Sequence, residues 1–166
     1  MILPGQEITP EILKRFKSVV NAEENPVKYL GIDPGKSNGV CGYDERYRLM
    51  FMYNIPQEHM IDFIESFDKV THVVIESFRL YPGRTMTAQT YSDMETSRVI
   101  GRVESWAKLH GVKFISQGAN IKNTAYKWLG KKPLPKSDPN NHSLDAHIHF
   151  MYWAIKNGKV KIENVA

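Results

Sequence analysis

Four residues in this chain of 166 have the types and positions to hold hard cations and handle protons. Asp33 ends the apolar run Tyr29-Leu30-Gly31-Ile32, and Glu76 ends Val73-Val74-Ile75. His142 and Asp145 open the stretch His142-Ser143-Leu144-Asp145-Ala146. The patterning predicts that the first two cap strands and that the last two lie in the opening turn of a helix. Burying an unpaired carboxylate is expensive, so acids at the ends of apolar strands point to a cluster gathered around metal ions. Magnesium takes oxygen ligands and keeps waters and phosphate oxygens in its shell. Two such ions can clamp the attacking and leaving oxygens of a phosphoryl displacement, which would cleave a phosphodiester without a covalent enzyme intermediate. Asp33 is expected to bridge both ions, and His142 either to ligate one of them or to help deprotonate the attacking water.

Each residue taken singly has a plainer explanation. Asp33 precedes Pro34-Gly35 and fits a turn; Glu76 fits the solvent end of a strand. Asp145 would be favoured by any helix N-terminus, and His142 fits a loop end. Their joint placement in one topology favours the metal cluster. His149, four residues after Asp145, could support the cluster from behind, though its spacing fits a core or surface histidine better, and His147 lies on another side of the helix.

The elements that must bring these residues together are legible in the patterning. Thr9-Pro10-Glu11 starts a helix with an apolar stripe at Ile12, Leu13, Phe16, Val19 and Val20. Residues 1–26 thus read as an N-terminal helical extension that packs on the domain or on another copy of it. Strands are expected at 27–32, 39–43 and 49–53, joined by connections short enough for an antiparallel meander. A helix over 57–67 leads to a strand at 73–76, parallel to the first through its helical crossover. A long helix over 88–110, with Val99, Val103, Trp106 and Ala107 on its buried face, precedes a strand at 112–115. A shorter helix covers 121–129, a proline-rich loop 130–141, and a last helix 143–156. The expected fold is α/β: one five-stranded mixed sheet, its first three strands antiparallel, flanked by helices on both faces. The first and fourth strands would be central neighbours, setting Asp33 beside Glu76.

Composition, at 42% hydrophobic and 24% charged, is that of a globular domain. The single cysteine, Cys41, excludes an intramolecular disulfide framework and a cysteine-rich zinc site. No signal-peptide pattern and no membrane-length apolar run is present, so a cytoplasmic setting without a membrane is the expectation. The net charge is only +4, yet residues 98–137 hold nine basic residues against the single acid Glu104. That skew suits a polyanionic partner, or equally a set of solvated helix faces.

At these residues the chain resembles the RuvC-type Holliday junction resolvases, the crossover junction endodeoxyribonucleases. Gly31-Ile32-Asp33-Pro34-Gly35 followed by Gly39-Val40 is similar to their opening motif, Ile75-Glu76 to the second acidic motif, and His142-x-x-Asp145-Ala146 to the C-terminal one. The segment from Ile115 to Leu129, with Lys122, sits where that family has a basic strand-to-helix stretch. The resemblance spans about residues 27–156, and residues 27–166 would form the nuclease domain. It implies a ribonuclease H-like fold, a homodimer presenting two sites to a four-way DNA junction, and nicking dependent on magnesium or manganese, two ions per site. By position Asp33, Glu76, His142 and Asp145 inherit both catalysis and metal binding. Contacts to DNA are expected from Lys122, Lys127, Lys131, Lys132 and Lys136, and from Arg79, Tyr81 and Arg84 just after Glu76. Residues 1–26 and the stretch Ser77-Phe78-Arg79 depart from the family pattern. The compact sequence would suit a bacterial cell or a bacteriophage version.

Three other functions can be set against the sequence. A nuclease of the same fold acting on RNA precursors or packaging DNA shares every motif. A sugar kinase or actin-like ATPase needs a second lobe for which the chain has no room. A non-catalytic DNA-binding module conflicts with retention of all four site residues.

Overall fold

The computed structural model describes residues 9–77 and 91–164. Helix α1 spans Pro10–Val20, with Pro10 at its start and the Thr9 hydroxyl accepting the Ile12 N–H at 3.3 Å. Strands β1 (Tyr29–Asp33), β2 (Ser37–Tyr43) and β3 (Leu49–Pro56) follow. A 3-10 turn at Gln57–His59 leads into α2 (Met60–Glu65), then β4 (His72–Ser77) and α3 (Tyr91–Leu109). Next come β5 (Lys113–Gly118), a 3-10 turn at Ala119–Ile121, α4 (Lys122–Trp128) and α5 (Asn141–Lys156). No helix among the described residues is long and apolar enough to cross a membrane.

The strands form one sheet in the order β3-β2-β1-β4-β5. β1 pairs antiparallel with β2, and β2 with β3, whereas β1–β4 and β4–β5 are parallel. The expected architecture is therefore the observed one. Element ends differ where local chemistry intervenes. The helix expected over 57–67 opens as a 3-10 turn after Pro56 and stops at Glu65. β3 and β5 each run three residues beyond their expected ends, to Pro56 and Gly118. Ladder pairing with β2 and β4 carries them there, helped in β3 by the buried Ile55.

Side chains alternate across a strand, and that parity assigns both strand acids to one face. Leu30, Ile32, Val73 and Ile75 enter the core shared with α1, α2 and α3. Cys41, Tyr43 and Val74 enter the opposite core under α4 and α5. Asp33 and Glu76, one step past Ile32 and Ile75, therefore face α5. On the first face, α1 is part of the domain core. Phe16 stacks on Phe63 at 4.9 Å between centroids and meets Phe51 and Phe67 edge-on. Burying a side chain of that size stabilises by about 2–3 kcal/mol.

On the second face, α5 lies close against the sheet where two strand residues lack side chains. A Cβ on Gly31 would stand 2.8 Å from the Ala146 carbonyl oxygen, and one on Gly39 only 1.9 Å from that of His142. The contact at Gly39 is backbone against backbone, with no flexible group to yield. Gly39→Ala is expected to lower stability by roughly 1–3 kcal/mol, read as a fall in the denaturant midpoint. An unchanged midpoint would mean that α5 is free to lift.

Candidate active site

Asp33 at the end of β1, Glu76 near the end of β4, and His142 and Asp145 in the first turns of α5 converge on one end of the sheet. At their centre is a residue expected among the DNA-contacting lysines. The Lys122 ammonium lies 2.8 Å from Glu76 Oε2, 2.9 Å from Asp145 Oδ2 and 4.0 Å from Asp33 Oδ1. His142 Nδ1 is 2.9 Å from Asp33 Oδ2. Thus α4, which delivers Lys122 on its first turn, belongs to the site as much as the strands do. Tyr126, one turn further along α4, donates its hydroxyl hydrogen to Asp145 Oδ1 at 2.6 Å.

For His149 the structure favours the alternative of a residue behind the cluster over that of an ordinary core or surface histidine. It is fully buried, and its Nε2 lies 2.9 Å from Glu76 Oε2. From the far side, Gln117 Nε2 donates to the His149 carbonyl oxygen at 2.8 Å. Two turns of α5 therefore serve the site, through His142, Asp145 and His149, which fall three or four residues apart on one helix face. His147 faces elsewhere: its Nδ1 lies 2.6 Å from the Tyr43 hydroxyl, and burial lowers its pKa to about 4.

The turn after Asp33 is tied from the neighbouring strands. The fully buried Asn38 accepts the Gly35 N–H at 3.4 Å and donates to the Ile55 carbonyl, and the Gln57 side chain donates to the Gly35 carbonyl. Gly35 in turn lies against the His142 ring.

These contacts set the charge states. Burial pushes the Asp33 carboxyl up to about 6, against the pull of His142 and Lys122. Burial would also raise Glu76, but contacts with His149, Asp33 and Lys122 overcome it and hold the carboxyl at about 2. The hydrogen bond to Asp33 raises His142 above the ordinary imidazole value. Burial opposes the charge on Lys122, yet Asp33 and Glu76 keep its pKa above the usual lysine range. The site is an acidic pocket already holding one cation, a tethered ammonium. Among the described residues no three Asp, Glu, His or Cys side chains stand in ready metal-binding geometry; the ammonium occupies the space between the acids.

Of the other residues expected to meet DNA, Lys127, Lys131, Lys132 and Lys136 are exposed, on α4 and the loop that follows it. Arg79, Tyr81 and Arg84 lie outside the described residues. Sequence patterning gives no site role to Tyr126 or Asn38, and ranks a supporting role for His149 below packing. For Tyr126 and His149 the one signal in the sequence is helical spacing, four residues from Lys122 and from Asp145 respectively.

No protein-family model and no curated protein sequence matches the chain. Solved structures do. Thermus thermophilus RuvC in complex with a Holliday junction substrate is similar with a TM-score of 0.50 at 16% identity, over 78% of this chain and 95% of that one. Thermus thermophilus RuvC in a second structure gives 0.44 at 15% identity, over 79% and 96%. The yeast mitochondrial Holliday junction resolvase gives 0.46 at 14% identity, over 95% and 93%. The chain thus has the ribonuclease H-like fold of RuvC, with its acidic pocket at the ends of the two central parallel strands.

Proposed function

We propose that the protein is a divalent-cation-dependent endonuclease that resolves four-way or otherwise branched DNA by paired nicking. The observation that carries this reading is the convergence of Asp33, Glu76, Asp145 and His142 around a single ammonium, on a RuvC-like fold.

The residues fit magnesium or manganese. Hard carboxylate oxygens and one imidazole form the donor set. Glu76 Oε2 is buried, and neither of its close contacts is aligned as a hydrogen bond. Asp33, Glu76 and Asp145 would hold the ions, which when bound supply Lewis acidity toward the phosphodiester, with His142 Nε2 free either to ligate one of them or to act as the base. The chain's own groups do the rest. Asp33 orients the His142 ring through Nδ1 and makes it more basic, leaving Nε2 as the nitrogen able to take a proton from water. The water oxygen bonds to phosphorus as the bridging oxygen leaves. Tyr126 fixes the Asp145 carboxylate from behind, as an outer partner of a metal site does, and His149 Nε2 lies against Glu76 at 2.9 Å. Lys122 brings a positive charge to where the phosphate would lie.

Two protomers would supply the two cuts. Helix α3 is the candidate interface, with Leu109 exposed beside a groove lined by Ile61, Arg98, Arg102 and Trp106. The exposed lysines after α4 would neutralise phosphates without reading bases. Converting Lys131, Lys132 and Lys136 together to glutamine is expected to flatten the slope of log affinity against log salt by about 0.9 for each phosphate no longer neutralised, so by nearly 3. An unchanged slope in a filter-binding titration would remove these lysines from the interface.

The decisive assay sets a labelled four-way junction against linear duplex and RNA, with magnesium, manganese and chelator in parallel. Paired nicks confined to the junction and requiring metal are expected. Equal cutting of linear duplex or of RNA would move the assignment to another nucleic acid, and no cutting under any condition would refute a nuclease.

A further inference from the structure

We infer that Asn54 is a positioning residue for this site: from strand β3 it caps the first turn of α5 and so sets the direction in which His142 and Asp145 face Asp33. The inference rests on the nuclease reading and assigns a role to a residue on an edge strand, outside the acidic pocket.

Helix α5 begins without its own cap. Asn140 stands at the N-cap position, but its side chain makes no capping bond. The first amides of a helix have no partner inside the helix, and a side-chain oxygen three residues back normally accepts from one of them. Here that oxygen comes from another strand: Asn54 Oδ1 accepts the Ser143 N–H at 3.1 Å, across 89 positions of sequence. The other end of the same amide is used as well, because Asn54 Nδ2 donates to the Pro139 carbonyl just before the helix. A carboxamide carries an acceptor and a donor on one rigid plane. Asn54 therefore fixes both the incoming chain and the first turn.

The seat is completed by backbone. Asn54 and Gly39 are register partners in the β2–β3 ladder, and Gly39 is the glycine whose missing side chain admits the His142 carbonyl. The remaining described hydrogen bonds of residues 135–143, apart from that between His142 and Asp33, join the segment to itself or to the helix it starts. Among the described residues, Asn54 is thus the side chain through which the sheet grips the backbone of this turn, while Asp33 meets only the His142 ring. His142 lies next to Ser143, the residue gripped, and Asp145 two further on. Displacement of reacting groups by about 1 Å can cost a hundredfold in rate.

The test compares wild type, Asn54→Ala and Asn54→Asp in single-turnover nicking of a four-way junction, with junction affinity measured separately in chelator. Asn54→Ala is expected to slow nicking about 10- to 100-fold with affinity within about threefold of wild type. Asn54→Asp, which keeps the acceptor for Ser143, is expected to recover part of the rate. Thr9→Ala is the control: it removes the cap of α1, a loss of the same kind remote from the pocket, and should nick at the wild-type rate. If Asn54→Ala and Thr9→Ala nick alike, or if Asn54→Ala matches wild type, the positioning role is overturned. Should Asn54→Ala fail to fold, Asn54→Gln carries the test, since it holds the same groups one methylene farther out; slowed nicking supports the role and a wild-type rate overturns it. A wild-type protein that leaves the junction uncut overturns the nuclease reading instead.

Discussion

Asp33→Asn is expected to abolish nicking and, in the same protein, to raise thermal stability when chelator is present at pH 8. The first effect follows from the proposed role. Asp33 is the acid on the central strand, and it also orients His142. Losing several kcal/mol of transition-state charge stabilisation at about 1.36 kcal/mol per tenfold gives a rate loss of about a thousandfold or more. Junction binding, carried by the exposed lysines, should persist. The second effect follows from burial. The carboxyl is pushed up from 3.8 to about 6 because burial outweighs the pull of His142 and Lys122. A raised acid pKa means that the folded state disfavours the ionised form. The penalty is absent below about pH 4, grows between the two values, and is complete above the folded one. Asparagine mimics the neutral acid in size and has no charge to bury. The variant should therefore gain on the order of 1–3 kcal/mol at pH 8 without metal, with the gain vanishing as pH falls to 4. Melting curves in chelator over that range check the sign. A variant less stable at pH 8 would show that Asp33 is a structural acid, not one held ready for a cation.

The opposed signs explain why so much of the site is legible in the sequence. An acid at the end of an apolar strand is conspicuous, and both Asp33 and Glu76 stand out against their runs, although only the charge on Asp33 costs the fold stability, Glu76 being held ionised by its neighbours. Strand parity then settles their face, because Ile32 and Ile75 must point into the core with α1, α2 and α3. The order of strands and helices is equally readable, since hydrophobic period and short connections leave few topologies open.

What is not legible depends on long-range contact. Lys122 sits in a segment dense with lysines, and nothing local separates it from Lys127 or Lys131; only the docking of α4 on α5 carries it into the pocket while the others remain exposed. His149 reads as packing because a buried histidine on a helix more often is, and its contact with Glu76 depends on how closely α5 lies on the sheet. Gly31 and Gly39 permit that approach, yet in sequence they read only as part of a turn-rich motif. Asn54 gives no signal beyond being a polar residue late in an apolar strand. For α1, the stripe is visible but its partner is not: Phe16 finds Phe51, Phe63 and Phe67 across more than thirty positions of chain.

Lys122→Met should produce the second large effect, in the opposite direction from Asp33→Asn. The ammonium faces Glu76, Asp145 and Asp33, and its pKa stands above the ordinary lysine value of 10.5. The stability it contributes is therefore complete below about pH 10.5 and lost only as pH rises through the folded-state value. Removing one partner of a buried ion pair costs about 3–5 kcal/mol. With the Lys122 side chain 26% exposed, the cost should fall at the lower end of that range or below it, about 2–3 kcal/mol. Methionine keeps most of the aliphatic stem, so the loss reports on charge rather than volume. The same change removes a competitor for the acids. A divalent ion entering the wild-type pocket must separate the ammonium from Glu76 and Asp145, whereas in the variant those oxygens are already free of it. Manganese should bind the variant at least about tenfold more tightly, and at equal excess manganese should raise its melting temperature more than that of wild type, since bound ligand adds RT ln(1 + [L]/Kd) to the stability. Calorimetric titration and melting curves with and without metal measure both. Equal affinity with an unchanged metal-free melting point would mean that Lys122 is a bystander and that the cations, if they bind, do so elsewhere.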